Sequence, residues 1–406
     1  MRFWRAILAA VIGLGGGIAA QAQIDPAKRE LLQFGYNQPL EGRAPLSGYA
    51  FYYLNLPDFY RTNLTLRLAV APVYLDSELG FLHALGEQTD VGIGLSGGGF
   101  ADSYAEIRSG KYWREDSFTG HGTGASASMY HLFNPGQLIP LNGVLRGEAR
   151  YSIYERDTAT APNFVLPKDR GNFDVRTGVR WGGREPLMMP EVAMELSAWY
   201  EALFRTGTGP YGYTGDRNVA SVSHLFWGRA LLAYTLPELK HSFNLSLTLG
   251  TSVNPDRFST YRLGGLLPLA AEFPLTLPGY FYQEISARRF VLLGGTYTLP
   301  LTTNRQWSLN AIATTAGVDY LPGLEQPGRW HSGVGGGIIY RSPTDAWQLA
   351  IGYAYGVDAF RNGDRGAHSV GFLLQFDLER AKVNLFDPGE NPLRSRGLER
   401  IFGLFH

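Results

Sequence analysis

Histidine and serine, residue types that often carry out hydrolysis, are present in this sequence but are not grouped for it. The sequence has no HExxH motif, in which two histidines one helical turn apart bind zinc. His224 lies beside Ser221 and Ser223, which could imitate the base and nucleophile of a hydrolase. Residues this close on one strand usually occur together by chance, so we expect no catalytic residue and no enzyme activity. The eight histidines are His83, His121, His131, His224, His241, His331, His368 and His406.

The composition excludes several other kinds of site. The 406 residues include no cysteine, which rules out disulfides and thiolate metal ligands, and we expect no metal and no cofactor. Lys plus Arg and Asp plus Glu each number 36, so the formal net charge is zero, and the charges form no basic run. A nucleic-acid partner is therefore not expected.

The first 22 residues have the pattern of a secretory signal peptide. Arg2 and Arg5 precede an apolar run that ends near residue 18, and Ala20-Gln21-Ala22 forms a small-residue cleavage site. The run is shorter than the roughly 20 residues that span a bilayer as a helix, so a membrane anchor is the weaker alternative. We expect export followed by cleavage after Ala22.

The rest of the chain alternates apolar and polar residues with a period of two. From Phe243 to Val253 and from Trp347 to Val357, apolar residues at every second position oppose small or polar ones. This alternation predicts β-strands with one apolar face. The strands approach ten residues, the length that a tilted membrane strand needs, whereas strands of soluble sandwiches mostly have five or six.

The count of these segments predicts the fold class. Fourteen are recognised, starting near residues 48, 62, 89, 122, 141, 172, 191, 222, 241, 284, 305, 330, 345 and 367, and residues 100–113 and 254–263 could each contain one more. We predict an all-β transmembrane antiparallel barrel of 14–16 strands, with 16 favoured because bacterial barrels have even strand numbers.

The predicted barrel divides the chain into four parts. These are a signal peptide (1–22), a periplasmic leader that could form a short helix (23–47), the outer-membrane barrel (48–379) and a periplasmic tail (380–406). In the tail, Leu398, Ile401, Phe402 and Phe405 share one face of a predicted amphipathic helix.

Charged residues alternate with the apolar ones, which assigns them to the barrel interior. A water-filled lumen solvates such charges, whereas an Arg or Lys at the lipid midplane costs about 2–4 kcal/mol. A ladder of structural salt bridges is the favoured interpretation, and a selectivity filter is the alternative. The predicted lumen charges are Arg146, Glu148, Arg150, Glu191, Glu195, Arg229, Glu284 and Arg288.

The last predicted strand carries a terminal pattern, Ser369-x-Gly371-x-x-Leu374-x-Phe376, with Leu374 and Phe376 on the lipid side. It resembles the sorting signal that outer-membrane barrels present to the barrel assembly machinery. That machinery and outer-membrane lipids are therefore expected partners. The expected location is the outer membrane of a Gram-negative type of cell.

The stretch from Tyr261 to Phe290 carries the most specific pattern in the chain. Leu263-Gly264-Gly265 precedes a gap, then Leu277-Pro278-Gly279-Tyr280 and a charged alternating strand, and five alternating segments follow the loop. This order resembles the inward-folded loop of the outer-membrane assembly and translocation barrels, the BamA/TamA type also called the bacterial surface antigen family. The resemblance covers residues 261–378 well and the earlier strands only in pattern. It implies a loop tip at Gly279 and Tyr280 and an inner-wall acid at Asp319.

Two departures from the family pattern limit this resemblance. Pro278 stands where the best-known members have the Arg of the loop tip, so the usual ion pair with the wall acid cannot form. Members linked to patatin-like lipase domains also lack that Arg, which places the nearest resemblance in that branch. In addition, residues 23–47 leave no room for the periplasmic modules that receive clients in other members, so we expect a member without them.

The resemblance implies insertion or translocation of protein or lipid at the outer membrane, with an unfolded protein or a lipid as client. A passive porin-like channel or a structural barrel is the alternative, for which a charged lumen would be sufficient. An outer-membrane lipid hydrolase is the least favoured hypothesis.

Overall fold

Sixteen antiparallel strands close into a barrel in the computed structural model, which describes residues 27–71, 73–183, 192–267 and 273–381. The first strand pairs with both the second and the last, so each strand has neighbours on both sides. The hydrocarbon of a bilayer requires this closure, because it offers no hydrogen-bond partners to a sheet edge. The barrel strands are β1 (Arg29–Pro39), β2 (Gly48–Pro57), β3 (Leu64–Ala71), β4 (Tyr74–Phe81), β5 (Thr89–Gly98), β7 (Lys111–Leu132), β8 (Leu141–Arg156), β9 (Arg170–Gly183), β10 (Val192–Arg205), β13 (Val222–Thr235), β14 (Ser242–Val253), β16 (Ile285–Pro300), β17 (Trp307–Tyr320), β18 (Trp330–Arg341), β19 (Trp347–Arg361) and β20 (Asp364–Asp377).

Four short strands lie in the connections at one end of the barrel. They are β6 (Tyr104–Arg108), β11 (Gly209–Tyr211), β12 (Arg217–Val219) and β15 (Tyr261–Leu263). We call this the far end, and we call the end where β1 begins and β20 ends the terminal end. Connections at the terminal end include short turns such as residues 301–306 and 342–346. The far end therefore holds the elements that can act on the barrel mouth.

The period of two assigns the two faces of the wall. On β14, Leu245, Leu247 and Leu249 are 56%, 37% and 50% exposed, whereas Thr248 is buried. The exposed apolar row recurs around the ring and forms the lipid-facing belt, as expected of a membrane barrel. The predicted fold class, a transmembrane barrel with sixteen strands favoured, is confirmed.

Two barrel strands lie where the sequence predicted none. Residues 23–47 were expected to form a periplasmic leader, either disordered or with a short helix, but residues 29–39 form β1, so the barrel begins before residue 48. Adjacent Leu31 and Leu32 blur the alternation of β1, and β4 has only eight residues, two of them Asp76 and Glu78. The regions 100–113 and 254–263, expected to conceal further barrel strands, contain β6, the start of β7 and β15.

Three other predictions concern residues outside the described ranges. The signal peptide (1–22), the lumen charge Glu191 and the amphipathic helix of the tail all lie there. Within the described ranges, no helix is long and apolar enough to cross a membrane.

Leu247→Arg tests the assignment of the two faces. The substitution places a cation on the lipid side in the middle of β14, so we expect the free energy of unfolding to fall by about 2–4 kcal/mol. Urea titration in phosphatidylcholine vesicles measures this change. The control is Ser246→Arg, one residue away on the lumen side, for which a smaller loss is expected. Equal losses for the two variants would contradict the assigned faces.

Candidate functional site

The connection between β15 and β16 folds back on itself. We call its described residues, 264–267 and 273–284, the inner loop. The N–H of Gly264 donates to the carbonyl of Leu275, and that of Leu277 donates to the carbonyl of Gly265, both at 2.9 Å. Gly264 and Gly265 have φ of +140° and +85°, and a Cβ on Gly264 would lie 2.2 Å from the carbonyl oxygen of Phe281. The Gly-Gly pair therefore makes this turn possible.

The tip of the inner loop lies against two glycines of the wall. A Cβ on Gly333 of β18 would lie 2.1 Å from the carbonyl oxygen of Pro278, and a Cβ on Gly279 would lie 1.9 Å from the amide nitrogen of Gly356 on β19. The residue after Gly333, Val334, is 46% exposed on the outer face, so Gly333 faces the lumen. The loop tip is therefore inside the barrel, where glycine allows two backbones to approach this closely.

Tyr280 of the loop tip is fully buried and bonds to a wall histidine. Its hydroxyl lies 3.2 Å from Nδ1 of His331, and the hydroxyl of Tyr320 contacts Nε2 of the same ring. The Tyr320 hydroxyl also donates to the carbonyl of Gly328 at 2.7 Å, so it accepts from Nε2 of a neutral imidazole. Nδ1 then accepts from Tyr280. Burial raises the pKa of Tyr280, so its hydroxyl keeps the proton that it donates.

A buried ion pair holds the base of the inner loop. The side chains of Glu284 and Arg361 are 0% and 3% exposed and form two hydrogen bonds of 2.8 and 2.6 Å. Glu284 also accepts the N–H of Phe281 at 2.7 Å, and the Arg361 guanidinium lies 3.6 Å from the centroid of the Phe281 ring. These contacts compensate both charges where water is excluded. The acid is in the loop and the Arg is on the wall, the reverse of the order that the family resemblance implied.

The inner loop also contacts distant parts of the wall. Phe273 lies between Trp199 of β10 and Trp227 of β13, with ring centroids 5.4 and 6.0 Å away. Leu266 lies beside Gly352 of β19 and Gly371 of β20, where a Cβ would be 3.6 and 3.4 Å from its Cδ2. The loop therefore reaches from the wall near β20 to the wall at β10 and β13.

Three arginines surround Phe273. The guanidinium carbons of Arg176, Arg180 and Arg229 lie 5.4, 5.6 and 4.6 Å from its ring centroid, a cation–π arrangement. Glu195 is buried and pairs with Arg229 at 2.6 Å. The ring of Phe273 is therefore held by arginines of the wall, and Glu195 of the wall neutralises the charge of one of them, Arg229.

A second element crosses the far end of the barrel. We call it the lid hairpin, residues 104–117, formed by β6 and the first part of β7. Ser109 and Gly110 both have positive φ, as in a two-residue type I′ turn. A Cβ on Gly110 would lie 1.7 Å from the carbonyl oxygen of Phe360, at the end of β19. Since six barrel strands separate β7 from β19 by the shorter way round, the hairpin spans the mouth.

Arg361 is the point where the lid hairpin and the inner loop meet. Its Nη1 would lie 3.0 Å from a Cβ on Gly110 of the lid hairpin, and the same nitrogen bonds to Glu284. The connection between β1 and β2 joins them, because a Cβ on Gly42 would lie 3.5 Å from Cδ of Arg361 and 3.2 Å from the ring of Phe281. One buried side chain therefore touches three elements that close the barrel.

An aromatic cluster ties the lid hairpin to the other far-end connections. Within the hairpin, Glu106 is buried and pairs with Arg257 at 3.1 Å, and Asp116 is buried and pairs with Arg217. Burial raises the pKa of Tyr211 in this cluster, so its phenol stays neutral. The cluster members are Tyr104, Phe118, Tyr154, Phe164, Tyr211 and Val219.

Asp319 does not serve as an inner-wall acid. Ala316, Val318 and Tyr320 face inward and are buried in the same cluster as Tyr280, so Asp319 points outward. It pairs at 2.8 Å with Arg288, which is 44% exposed. Arg288 was predicted to face the lumen, but a register shift between Ala287 and Arg289 turns it outward, as a bulge does.

The other predicted lumen charges that the structure describes lie in ion pairs. Arg146 contacts Asp76 at 2.9 Å and Glu148 at 3.2 Å, and Arg150 contacts Asp102 at 2.8 Å. Arg67 extends the first network to Asp76 at 3.4 Å. Glu195 pairs with Arg229, and Glu284 with Arg361, as described above. These pairs fit the structural ladder better than a selectivity filter.

The residues of the proposed sorting signal lie on β20, the strand that closes the barrel. Ser369 and Gly371 are buried on the lumen side, and Leu374 and Phe376 lie on the other face, opposite Phe34 and Leu32 of β1. Their role in sorting remains a prediction.

The hydroxyl and imidazole groups that could do hydrolysis are occupied elsewhere. His224 bonds through Nδ1 to Tyr200, and Ser223 donates to the carbonyl of Asn254. Residues 94–98 match a GxSxG pattern, but they lie within a strand rather than at a strand-to-helix turn, and Ser96 donates to Glu148. Among the described residues, no group of three or more His, Asp or Glu could hold a metal ion.

Solved structures supply the comparison that decides the fold. CdiB from Escherichia coli matches with a TM-score of 0.56 over 87% of this chain, CdiB from Acinetobacter baumannii with 0.54 over 86%, and BamA from Haemophilus ducreyi lacking POTRA domains 1-3 with 0.53 over 86%. This chain has the fold of those barrels. It spans 64%, 60% and 70% of the three chains, and each is 11% identical to it, so the likeness establishes architecture alone. No family model and no curated protein matches the sequence.

Three residues that position the inner loop were not predicted from the sequence. They are Phe273, His331 and Arg361, each in a different part of the chain. The sequence does carry a signal for Arg361. It lies at the far end of a strand that follows the loop, where its charge could neutralise that of Glu284, the acid nearest the loop tip. His331 and Phe273 carry no comparable signal, since their partners depend on how the loop enters the lumen.

Glu284→Gln and Arg361→Gln test the buried ion pair. Each single variant leaves a buried charge without its partner, so we expect each to lower the free energy of unfolding by about 3–5 kcal/mol. The double variant should lose less than the sum of the two, because the surviving charge is gone as well. Urea titration of the four proteins in vesicles gives the coupling.

The half-exposed pair of Arg288 and Asp319 is the control for this cycle. Asp319→Asn should cost no more than about 1 kcal/mol. A loss from Asp319→Asn as large as that from Glu284→Gln would mean that Asp319 is the acid that holds the inner loop, and would contradict the assignment of that role to Glu284.

Proposed function

We propose that the protein is an outer-membrane barrel of the assembly and translocation type, which inserts or passes a protein or lipid client. The observation that carries the proposal is the inner loop, which occupies the lumen from the wall near β20 to the wall at β10 and β13. A passive channel works best with an open lumen, whereas a barrel that handles a client needs a closed resting state. The proposed partners are outer-membrane lipids, the machinery that assembles the barrel, and the client.

The contacts of Arg361 support a closed state that opens in one step. If the inner loop leaves the wall, Glu284 leaves with it and the Arg361 guanidinium is left buried without an anion. Such a charge is costly, so hydration of Arg361 would have to accompany loop movement. Hydration requires that the Gly110 turn withdraw from the end of β19. We therefore propose that the lid hairpin and the inner loop move together.

Arg361→Gln tests this resting state by conductance in planar bilayers. The wild-type barrel should be mostly closed. The variant leaves Glu284 buried without its partner, which costs the closed state about 3–5 kcal/mol, so the open fraction should rise by a factor of at least roughly a hundred. The matched control is Arg365→Ala, which removes a 58% exposed Arg four residues away. A stable, ohmic pore in the wild-type protein would instead favour the passive channel.

Insertion of a client tests the function itself. The purified protein is placed in liposomes, an unfolded small outer-membrane barrel is added from urea, and its folding is followed by heat-modifiable mobility on gels. We expect folding to be roughly tenfold faster than in liposomes that hold an unrelated barrel at the same density. Equal rates would remove the insertion proposal, even if the conductance results agree with a closed barrel.

A further inference from the structure

The lipid-facing belt contains a recess on β7 to β10. Its volume is about 500 Å³, and its lining includes Gly143, Thr177, Val179 and Ala198. The lining contains no Asp, Glu, Lys or Arg, and His131 is its one histidine. The recess interrupts a belt in which outward side chains are mostly large, so its origin can be traced in the register of the strands.

One row of outward residues, most of them small, begins on the floor of the recess and continues one strand beyond it, to β13. Gly143 of β8 pairs in register with Val179 of β9, Val179 pairs with Ala198 of β10, and Ala198 pairs with Gly228 of β13. Residues paired in this way stand side by side on the same face of the sheet. Three of the four have no side chain larger than a methyl group, so the row is a trough that runs across the strands.

Most residues in the rows on either side of the floor are large, and these rows form the banks of the trough. On the side toward the far end, Leu145, Thr177, Tyr200 and Phe226 pair in sequence across the same four strands. On the side toward the terminal end, Leu141, Trp181 and Leu196 pair in sequence across β8, β9 and β10. The next partner in this row, Ala230 of β13, is small, so the bank is low there. Leu249 of β14, opposite Gly228, closes one end of the trough.

The dimensions of the trough suit a hydrocarbon chain. One missing row of side chains is a slot roughly 6.6 Å wide, two residues at about 3.3 Å each, and four strands give a length of roughly 14 Å at 4.8 Å per strand. A helix with side chains is about 10–12 Å across and does not enter such a slot. Because the strands of such barrels tilt by about 35–45°, a row of this length spans roughly 8–10 Å of membrane depth, which fits within one leaflet of about 15 Å.

The Gly143 end of the trough lies near the terminal end of the barrel. His131 is opposite Gly143 and lies one residue before the end of β7. Its Nδ1 is 2.9 Å from the Thr89 hydroxyl, and its ring lies 4.8 Å from that of Phe133, which covers Gly143. A polar group at one end of an apolar slot matches a lipid, which has a polar head followed by an apolar chain.

We propose that the trough binds one acyl chain of a phospholipid from the leaflet at the terminal end of the barrel. The occupant follows from continuity with the lipid-facing belt, since hydrocarbon surrounds the trough on all sides. The site holds its lipid more tightly than the rest of the belt, because the chain is enclosed by both banks instead of one surface. This proposal does not depend on the proposed function.

Ala198→Leu combined with Gly228→Leu fills the trough and tests the proposal. The protein is purified from membranes in mild detergent, and bound lipid is measured by native mass spectrometry. We expect the wild-type barrel to keep one phospholipid and the filled variant to keep roughly tenfold less. The matched control, Ala311→Leu with Ala313→Leu, enlarges two exposed alanines of β17 on the same belt and should keep its lipid.

Three outcomes would overturn the proposal. One is equal lipid in the filled and control variants, another is a wild-type barrel without lipid at detergent levels that preserve the fold, and the third is a second copy of the chain in place of lipid. If the filled variant does not fold, the wild-type protein is crosslinked in phosphatidylethanolamine and phosphatidylglycerol vesicles that contain a diazirine-tagged acyl chain. Crosslinks concentrated in β8 to β13 support the site, and crosslinks spread evenly around the belt refute it.

Discussion

The pairing of β1 with β20 is the constraint on which the rest of the structure depends. In hydrocarbon a backbone N–H or C=O without a partner costs several kcal/mol, so a sheet crosses the membrane only as a closed ring. Here the ring closes in register from Leu31 opposite Asp377 to Pro39 opposite Ser369. Closure then leaves each residue two choices, lipid or lumen, and the polar chemistry of the protein is confined to the inside and the two ends.

A ring of sixteen strands is too wide for its own side chains to fill, as sixteen-stranded channels with aqueous lumens show. This protein fills part of that space with the inner loop, which brings a backbone and a carboxylate into a buried place. Glu284 is compatible with burial because Arg361 and the N–H of Phe281 satisfy its oxygens. A buried pair of this kind contributes little net stability compared with an apolar contact, but it allows one arrangement only. Its main effect here is to fix where the loop lies.

Local alternation was sufficient to predict the barrel, and the Gly-Gly and Pro-Gly-Tyr elements were sufficient to predict a tight loop. The two faces of each strand were predicted on the rule that apolar residues face lipid and polar residues face the lumen. At the far end of the barrel this rule fails. There the inside is packed with the inner loop, so Val318 and Tyr320 face inward and Asp319 faces outward, where it pairs with Arg288. The partner of Tyr280 could not be predicted, because His331 lies 51 residues away and meets it only after closure. The partner of Glu284 left a weak signal only, since Arg361 lies 77 residues away.

The reversed ion pair shows how an inner loop can be held without an Arg at its tip. Pro278 has no side-chain donor, and the tip is held through backbone contact with Gly333 and Gly356 instead. Those contacts fix the position of the tip without any ion pair. The ion pair of the loop lies at its base instead, at Glu284. Moving the Arg from the loop to the wall also moves it to the end of β19, within reach of the lid hairpin. Arg361, at the end of a wall strand, can therefore contact the lid hairpin and the inner loop at the same time. An Arg at the loop tip would belong to the loop and could not link the loop to the lid hairpin from the wall.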